Sequence, residues 1–326
     1  MKLLVTGGAG YIGSVVAELA VGAGHHVVVV DDLRAGNRQA VPEQCAFVQG
    51  SIGDPEVLAQ VFAQGPFDAV LHLAAEAAIE ASVTDPGLYF RANLVDGLTL
   101  IDVMRAQGVQ RLVFSSTAAT YGEPQEVPID ETHSQRPINA YGESKLMFEN
   151  CLRWYHRAYG LRTVAFRYFN AAGATEERGE ARDHETHLLP LVLDAVAGRR
   201  GPLAVFGTDY PTEDGTCVRD YVHVVDIARA HLLALEKIDA LQLDFFNLGS
   251  ERGYSVRQVI DAAERTLGRS VPWEPAPRRP GDPAVLVASA DRATRLLGWA
   301  PAYRGLDGIV ETAWNWRVRH PAGYAS

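Results

Sequence analysis

Residues 2–32 read KLLVTGGAGYIGSVVAELAVGAGHHVVVVDD, and the rest of the chain is organised around them. Leu3-Leu4-Val5 is a short apolar run that leads straight into Gly7-Gly8-Ala9-Gly10-Tyr11-Ile12-Gly13. Ser14 to Ala23 then has helical spacing, with Val15, Val16, Leu19 and Ala20 on the buried side. Gly24 ends that helix, and Val27 to Val30 is apolar at every position, as a strand covered on both faces should be. Strand, glycine turn, helix, strand, acid is the order of a dinucleotide-binding unit. The glycines permit a tight turn and let a pyrophosphate approach the amides at the helix N-terminus, where partial positive charge collects. Asp31 or Asp32, closing the second strand, can accept hydrogen bonds from a ribose diol. An anion there repels a 2′-phosphate, so the pattern favours NAD over NADP.

At 326 residues the chain is long enough for a large core and two lobes. Its 47% hydrophobic and 21% charged content is that of an ordinary globular protein. A net charge of −10 argues against sequence-independent nucleic-acid binding, which needs a basic surface. It leaves room for an anionic small-molecule substrate held by local arginines. Cys45, Cys151 and Cys217 lie far apart without C-x-x-C spacing, so neither a disulfide framework nor a zinc site is expected. No apolar run approaches the about 20 residues of a membrane span, and the first apolar piece runs directly into the glycine turn rather than a cleavage site. The cytoplasm is the expected compartment, with no membrane or nucleic-acid partner.

More βα units follow. Cys45 to Val48 reads as a strand leading to Ser51 and Ile52, and Pro55 to Gln64 as a helix capped by Asp54. Phe67 to Ala75 reads as a central strand whose end, Leu73-Ala74-Ala75, is small enough for close approach of a cofactor. A helix from about Leu88 to Ala106 carries Asn93; Arg111 to Ser116 is a strand ending in Ser115-Ser116-Thr117. The helix from about Ala140 to Tyr159 and the strand Arg162 to Tyr168 complete an α/β, doubly wound parallel sheet of Rossmann type. Ligands are expected at the C-terminal ends of its strands. Residues 1–170 make the NAD-binding lobe and 171–326 a smaller, discontinuous substrate lobe. Strand-like pieces at Tyr221 to Val225 and Asp244 to Leu248 are expected to return to the main sheet. Residues 171–187 and 199–220 read as loops, Val256 to Leu267 as a helix, and Pro272 to Pro283 as irregular.

The chemistry is carried by Tyr141-Gly142-Glu143-Ser144-Lys145, which puts Tyr141 and Lys145 at i and i+4 on one helix face. A phenol with an unperturbed pKa near about 10 is a poor base at neutral pH. A neighbouring ammonium favours the phenolate, and an oxidised nicotinamide adds to the effect. Thr117, 24 positions before Tyr141 and at a strand end, supplies a hydroxyl for the reacting oxygen. His184-Glu185-Thr186-His187 has the wrong spacing for a helical zinc motif, so His187 reads as a loop residue near substrate and no metal is expected.

The G-x-x-G-x-x-G turn and the Tyr-x-x-x-Lys pair resemble the extended short-chain dehydrogenase/reductase superfamily. Over nearly its full length the chain resembles the UDP-glucose 4-epimerase (UDP-galactose 4-epimerase) family within it. The stretches carrying this are VTGGAGYIGS, FSSTAATYG, YGESK, RYFNAAGA, FGTDYPTEDGTCVRDYVHV, APRRPGD and WNWRVRHPAGY. The resemblance implies an isomerase of galactose metabolism that inverts C4 of UDP-hexoses through a transient 4-keto sugar, with tightly bound NAD. It also implies a homodimer formed through two helices of the first lobe. On matching positions it implies cofactor contacts from Gly7, Gly10, Tyr11, Ile12, Gly13, Asp31, Asp32, Ser51, Ile52, Leu73, Ala74, Ala75, Asn93, Ser115, Tyr141, Lys145 and Tyr168. Thr117, Tyr141, Asn170, His187, Leu188, Phe206, Arg219, Arg279 and Asp282 are implied as substrate contacts, with the two arginines on the diphosphate, Asp282 on the uridine ribose and Phe206 near the uracil.

The chain departs from the family at Ser51, where an Asp is common, at Ala77, where some members carry Lys, and at His187, where some carry Asn. Leu286 occupies a position of varying bulk beside the sugar's 2-substituent, and a leucine leaves room for an N-acetyl group. Turnover of UDP-GlcNAc and UDP-GalNAc is therefore a further expectation. A 4,6-dehydratase of the same superfamily needs an Asp-Glu pair after the active-site Thr, whereas Thr117 is followed by Ala118-Ala119. A UDP-glucuronate 4-epimerase is the other alternative.

Overall fold

The computed structural model describes residues 1–182, 185–279 and 282–324. The chain opens with β1 (Lys2–Thr6), α1 (Tyr11–Gly22), β2 (His26–Asp31) and β3 (Ala46–Gln49). Then come α2 (Pro55–Phe62), β4 (Ala69–His72), α3 (Ile79–Thr84), α4 (Pro86–Phe90) and α5 (Asp96–Ala106). The lobe continues through β5 (Arg111–Thr117), α6 (Ala140–Tyr159) and β6 (Arg162–Tyr168). Beyond it lie β7 (Asn170–Ala172), α7 (Leu188–Val196), β8 (Leu203–Phe206), β9 (Val218–His223) and α8 (Val224–Leu241). The chain closes with β10 (Leu243–Leu248), β11 (Gly253–Ser255), α9 (Val256–Leu267), β12 (Trp273–Ala276), β13 (Val285–Leu286), α10 (Asp291–Leu297) and α11 (Leu306–Arg319).

Seven strands form one sheet in the order β10-β6-β5-β4-β1-β2-β3, every pairing parallel. Alternation of side chains across each strand splits its apolar residues between two layers. Leu3, Val5, Val27 and Val29 pack with residues of α1 and α8 on one face, while Leu4, Val28 and Val30 pack with residues of α2, α5 and α6 on the other. Both faces are thus dry, which explains the unbroken valine run of β2. Local signals set the helix starts: Asp54 accepts from the Glu56 amide at 2.9 Å ahead of Pro55, and Asn139 accepts from the Gly142 amide at 2.8 Å, fixing where α6 begins. A third apolar cluster, built on α7, α9 and α11 with β8 and β9, forms the core of the second lobe.

The structure departs from five expectations. The piece at Tyr221 to Val225 does not join the main sheet. Its strand is β9, which pairs with β7, β11 and β13, and its last two residues already belong to α8. The place beside β6 is taken by β10, which pairs from Leu243 to Leu248 against Thr163 to Tyr168. Within Pro272 to Pro283, Trp273–Ala276 is a strand, parallel to β8 inside the supposed loop 199–220. Pro275 is tolerated there because a two-stranded ribbon has only edge positions. The central strand expected over Phe67 to Ala75 is shorter, Ala69–His72. The expected helix around Asn93 is interrupted by a π-helical turn, Arg91–Val95.

Candidate active site

Three elements converge at the C-terminal edge of the main sheet. Thr117 ends β5, Tyr141 and Lys145 lie in the first turns of α6, and Tyr168 ends β6 directly opposite Thr117. Lys145 is buried; its Nζ donates to the Ser115 carbonyl at 2.9 Å and stands 4.9 Å above the Phe114 ring. Tyr141 packs edge-on against the ring of Tyr89, 6.4 Å between centroids. Burial pushes the Tyr141 phenol above its ordinary range, opposed by a hydrogen bond with Thr117 and by the charge of Arg182. Burial also lowers Lys145, to about 7, with the Glu149 carboxylate opposing it. The expected direct attraction between ammonium and phenol is therefore modified: in the protein alone Lys145 is directed at Ser115, and Thr117 and Arg182 are what favour the phenolate.

Tyr168 is also buried, and its hydroxyl lies 2.7 Å from His231 Nε2. His231 Nδ1 is 2.9 Å from the Ile227 carbonyl, so Nδ1 donates and Nε2 accepts from the phenol. Ser115 hydrogen-bonds the same phenol, which burial pushes strongly up.

The glycine turn is shaped for a dinucleotide. Gly7 has φ of +72°, and a Cβ on it would come within 2.4 Å of the Ala74 amide nitrogen. A Cβ on Gly13 would lie 2.1 Å from the Gly7 carbonyl oxygen. One on Gly10 would meet only that oxygen, at 3.3 Å, so Gly10 is the glycine that opens outward. No side chain caps α1 at Gly10, and its first turn holds no acid, which leaves the amides of Tyr11 and Ile12 suited to a phosphate. Leu73, Ala74 and Ala75 run along the loop's edge, with the Leu73 amide on the Thr6 carbonyl (3.0 Å) and the Ala74 amide on the Thr6 hydroxyl (3.3 Å). Asp31 is buried and accepts from the amides of Ala9 (3.0 Å) and Leu33 (2.9 Å). Burial raises its pKa and those two bonds oppose the rise. Asp32 instead pairs with Arg34 at 2.7 Å, and Arg34 reaches Glu76 at 3.2 Å. Arg34, which could otherwise greet a 2′-phosphate, is thus held by two carboxylates. Ser51 accepts from the Gly53 amide at 3.1 Å, and Ile52 beside it is buried. The residues fit NAD.

Asn93 faces inward rather than toward the turn. Its Oδ1 accepts from the Glu76 amide (2.8 Å), and its Nδ2 donates to the Glu76 carbonyl (2.9 Å) and to Ser144 Oγ (3.0 Å). It ties the loop after β4 to α6. Tyr11 closes a similar link, its hydroxyl donating to the Gly173 carbonyl at 2.6 Å.

In the second lobe Asn170 opens β7 opposite Tyr221, two residues after Tyr168 at the end of β6, while Tyr221 follows Arg219 by two on β9. Arg219 pairs in register with Leu286 and forms an ion pair with Asp282. The Asp282 amide bonds the Arg279 carbonyl at 3.3 Å, and the Arg279 guanidinium lies 4.2 Å over the ring of Phe206. The fold therefore gathers Phe206, Arg219, Arg279 and Asp282, which are distant in sequence. His187 sits at the N-cap position of α7, ahead of Leu188, with Nδ1 2.8 Å from Glu185 and 3.3 Å from Glu180. Burial opposes a charged ring there, but the two carboxylates outweigh it and raise its pKa. Ligand atoms of Glu180, Glu185 and His187 lie within 4.8 Å of one another, yet Arg182 already engages Glu180 at 3.1 Å, so the group is an ion-pair cluster. His184, in the motif considered for zinc, lies outside the described residues.

Several participants carry no motif. Tyr89, His231 and Glu149 act through partners far away in sequence. Asp220 holds the amides of Ser250 (2.6 Å), Glu251 (3.2 Å) and Ala288 (3.1 Å), binding β9 to its surrounding loops. Its place beside Arg219 in VRDYVHV was the one available signal.

Residues 3–249 match the NAD dependent epimerase/dehydratase family. A UDP-glucose 4-epimerase of Corynebacterium glutamicum is 50% identical, over 96% of this chain and 95% of that protein. One from Lacticaseibacillus casei is 48% identical over 99% of each. The crystal structure of a UDP-glucose 4-epimerase from Bifidobacterium longum in complex with NAD+ and UDP superposes with a TM-score of 0.94 at 36% identity, covering 99% of this chain and 100% of that one.

Proposed function

The chain belongs to the NAD-dependent epimerase/dehydratase family, and from that membership we propose how its own residues invert C4 of UDP-hexoses, interconverting UDP-galactose and UDP-glucose. The observation that carries the residue assignment is the meeting of Thr117, Tyr141 and Lys145 at the same edge of the parallel sheet as the uncapped glycine turn. Bound at that turn, the oxidised dinucleotide accepts the C4 hydride and returns it to the opposite face. Tyr141 takes the proton from the 4-hydroxyl and later gives it back. Thr117 hydrogen-bonds the same oxygen, and Lys145 holds the strand end and the nicotinamide ribose. Asp31 receives the adenosine ribose, and Gly7, Gly10 and Gly13 admit the pyrophosphate.

Arg219 and Arg279 hold the diphosphate, with Asp282 and Phe206 at the uridine and Asn170, His187 and Leu188 along the way. A firmly held nucleotide retains the 4-keto sugar, while sparse sugar contacts let it turn. Ala118 and Ala119 supply no acid for elimination, so a dehydratase is not favoured. Residues 1–170 act as the NAD lobe and 171–326 as the substrate lobe, with β10 lent back to the main sheet.

Leu286, opposite Arg219, supports turnover of the N-acetylated UDP-hexoses as well. Exposed Val95 at the N-cap of α5, with exposed Met147 and Trp154 on α6, supports pairing with a second copy across these helices. No helix among the described residues is long and apolar enough to cross a membrane, and the cytoplasm is the compartment we assign. Incubation of the isolated protein with UDP-galactose, and separately with UDP-GalNAc, without added NAD tests the reading. The 4-epimer of each should form with no net build-up of NADH. A stoichiometric oxidation instead would point to a one-way dehydrogenase.

A further inference from the structure

Beneath the Tyr141 corner, the buried face of α6 carries a carboxylate to which the roles above give no task. Glu149 is fully buried, one helical turn beyond Lys145. Its Oε1 accepts from Ser116 Oγ at 2.6 Å and from Arg167 Nε at 3.0 Å. Its Oε2 accepts from Arg167 Nη2 at 2.7 Å and from Gln135 Nε2 at 3.2 Å. Arg167 goes on to the Tyr121 hydroxyl at 2.8 Å, which donates to Asn247 at 2.7 Å. Ser116 lies between Ser115, whose carbonyl receives the Lys145 ammonium, and Thr117, which bonds Tyr141. One short bond thus ties the end of β5 to α6 between both contacts.

We infer that Glu149 is a positioning residue for the epimerisation: through Ser116 it holds Ser115 and Thr117 in register with Lys145 and Tyr141. This rests on the roles assigned to Tyr141 and Lys145 under Proposed function. The charged and titratable groups facing this corner include Lys145 and Arg153 on α6, Arg167 on β6, Tyr121 after β5, His72 on β4 and Glu131, whose carboxylate lies by Tyr121 and Arg167. Burial has already brought Lys145 to about 7, and Glu149 is the charge that resists the fall. Removing that charge lowers Lys145 further, so the neutral amine takes over at lower pH.

The test is Glu149→Gln, which keeps the shape and an acceptor for Ser116, measured as kcat and KM for UDP-galactose across pH on the isolated holoprotein. The alkaline limb of kcat should move down by about one pH unit, the smaller end of the effect of a nearby opposite charge. kcat at neutral pH should fall about tenfold, while KM stays within about twofold, because the nucleotide contacts lie in the other lobe. Arg167 loses its partner in that variant, so Glu149→Gln with Arg167→Met is made alongside it to remove both buried charges. That pair should fold and still show the displaced limb. A Glu149→Gln protein with the parental limb, or a double variant that regains it, overturns the inference. Tyr141→Phe runs in the same assay. If it stays active, the catalytic roles fall and the inference with them; if it is dead while Glu149→Gln keeps the parental limb, only the role of Glu149 fails.

Discussion

Lys145 donates from Nζ to the backbone carbonyl of Ser115 across 2.9 Å, so the lysine of the Tyr-x-x-x-Lys pair is fastened to the strand that presents Thr117. Its first structural task is to hold β5 and α6 together at the reacting edge. Lys145→Met retains the aliphatic stem over Phe114 but loses the bond and the charge. We expect kcat for UDP-galactose to fall by about 10²–10⁴, the usual range for losing acid–base support, with KM little changed. Steady-state epimerisation rates across substrate concentration check this.

The cradle makes a prediction that separates two glycines. Gly13→Ala drives a methyl group to 2.1 Å from the Gly7 carbonyl, where backbone must move, whereas Gly10→Ala meets the same oxygen at only 3.3 Å. Gly13→Ala should lose about 1–3 kcal/mol of stability, typical of overpacking, and should be isolated with much less NAD. Gly10→Ala should fold normally and weaken only the cofactor. Denaturant midpoints together with the nucleotide content of the isolated proteins distinguish them.

Arg219 is nearly buried and paired with Asp282 in the second lobe, beyond the reacting corner. Arg219→Lys keeps the charge but loses the planar fork that suits a diphosphate. KM for UDP-galactose should rise at least about tenfold, equivalent to about 1.4 kcal/mol, with kcat within about threefold. A fall in kcat alone would place Arg219 in the chemistry and contradict the assignment.

Three buried histidines make stability depend on pH. Burial lowers His72 to about 3 and His223 and His231 to about 4, below the ordinary histidine value. Between about pH 6.5 and those values the unfolded chain binds more protons than the folded one, so stability is lost as pH falls through this window. Each histidine contributes a slope of up to about 1.4 kcal/mol per pH unit. Buried Asp220, raised to about 6, works in the opposite direction, so the histidine share is read by difference: from urea midpoints at pH 7.5, 6 and 5, His231→Gln should lose less stability on acidification than the parent, by up to one proton in slope. An unchanged slope in that variant would mean that His231 is not held neutral.

Much of this was readable from the sequence because it is written locally. The β1–α1–β2 unit declares itself through a valine run, a glycine turn and an acid within 31 residues, and α6 declares itself through its cap and its Tyr-x-x-x-Lys pair. What escaped depends on partners chosen at a distance. Tyr221 to Val225 has an acceptable strand pattern, yet nothing in it says that β7, β11 and β13 will pair with it rather than β6. Trp273–Ala276 is hidden in the sequence by Pro275 and its flanking prolines, which an edge strand accepts. The resemblance implies a cofactor contact at Asn93; its bonds to Glu76 and Ser144, which brace the loop after β4, have no local signal. The link from Glu149 to Ser116 spans 33 residues, and its bond with Arg167 spans 18, with no motif marking either.

The most direct measurement of the central claim is the rate at which Tyr141→Phe, isolated with NAD bound, converts UDP-galactose to UDP-glucose. Thr117 loses its bond to the phenol, but Lys145, its bond to Ser115 and the glycine cradle are untouched by this change, so nucleotide content and affinity for UDP should remain close to those of the parent. The account predicts a kcat lowered by at least about 10²-fold, the usual scale for losing a positioned acid–base group. Conversion near the parental rate would contradict it.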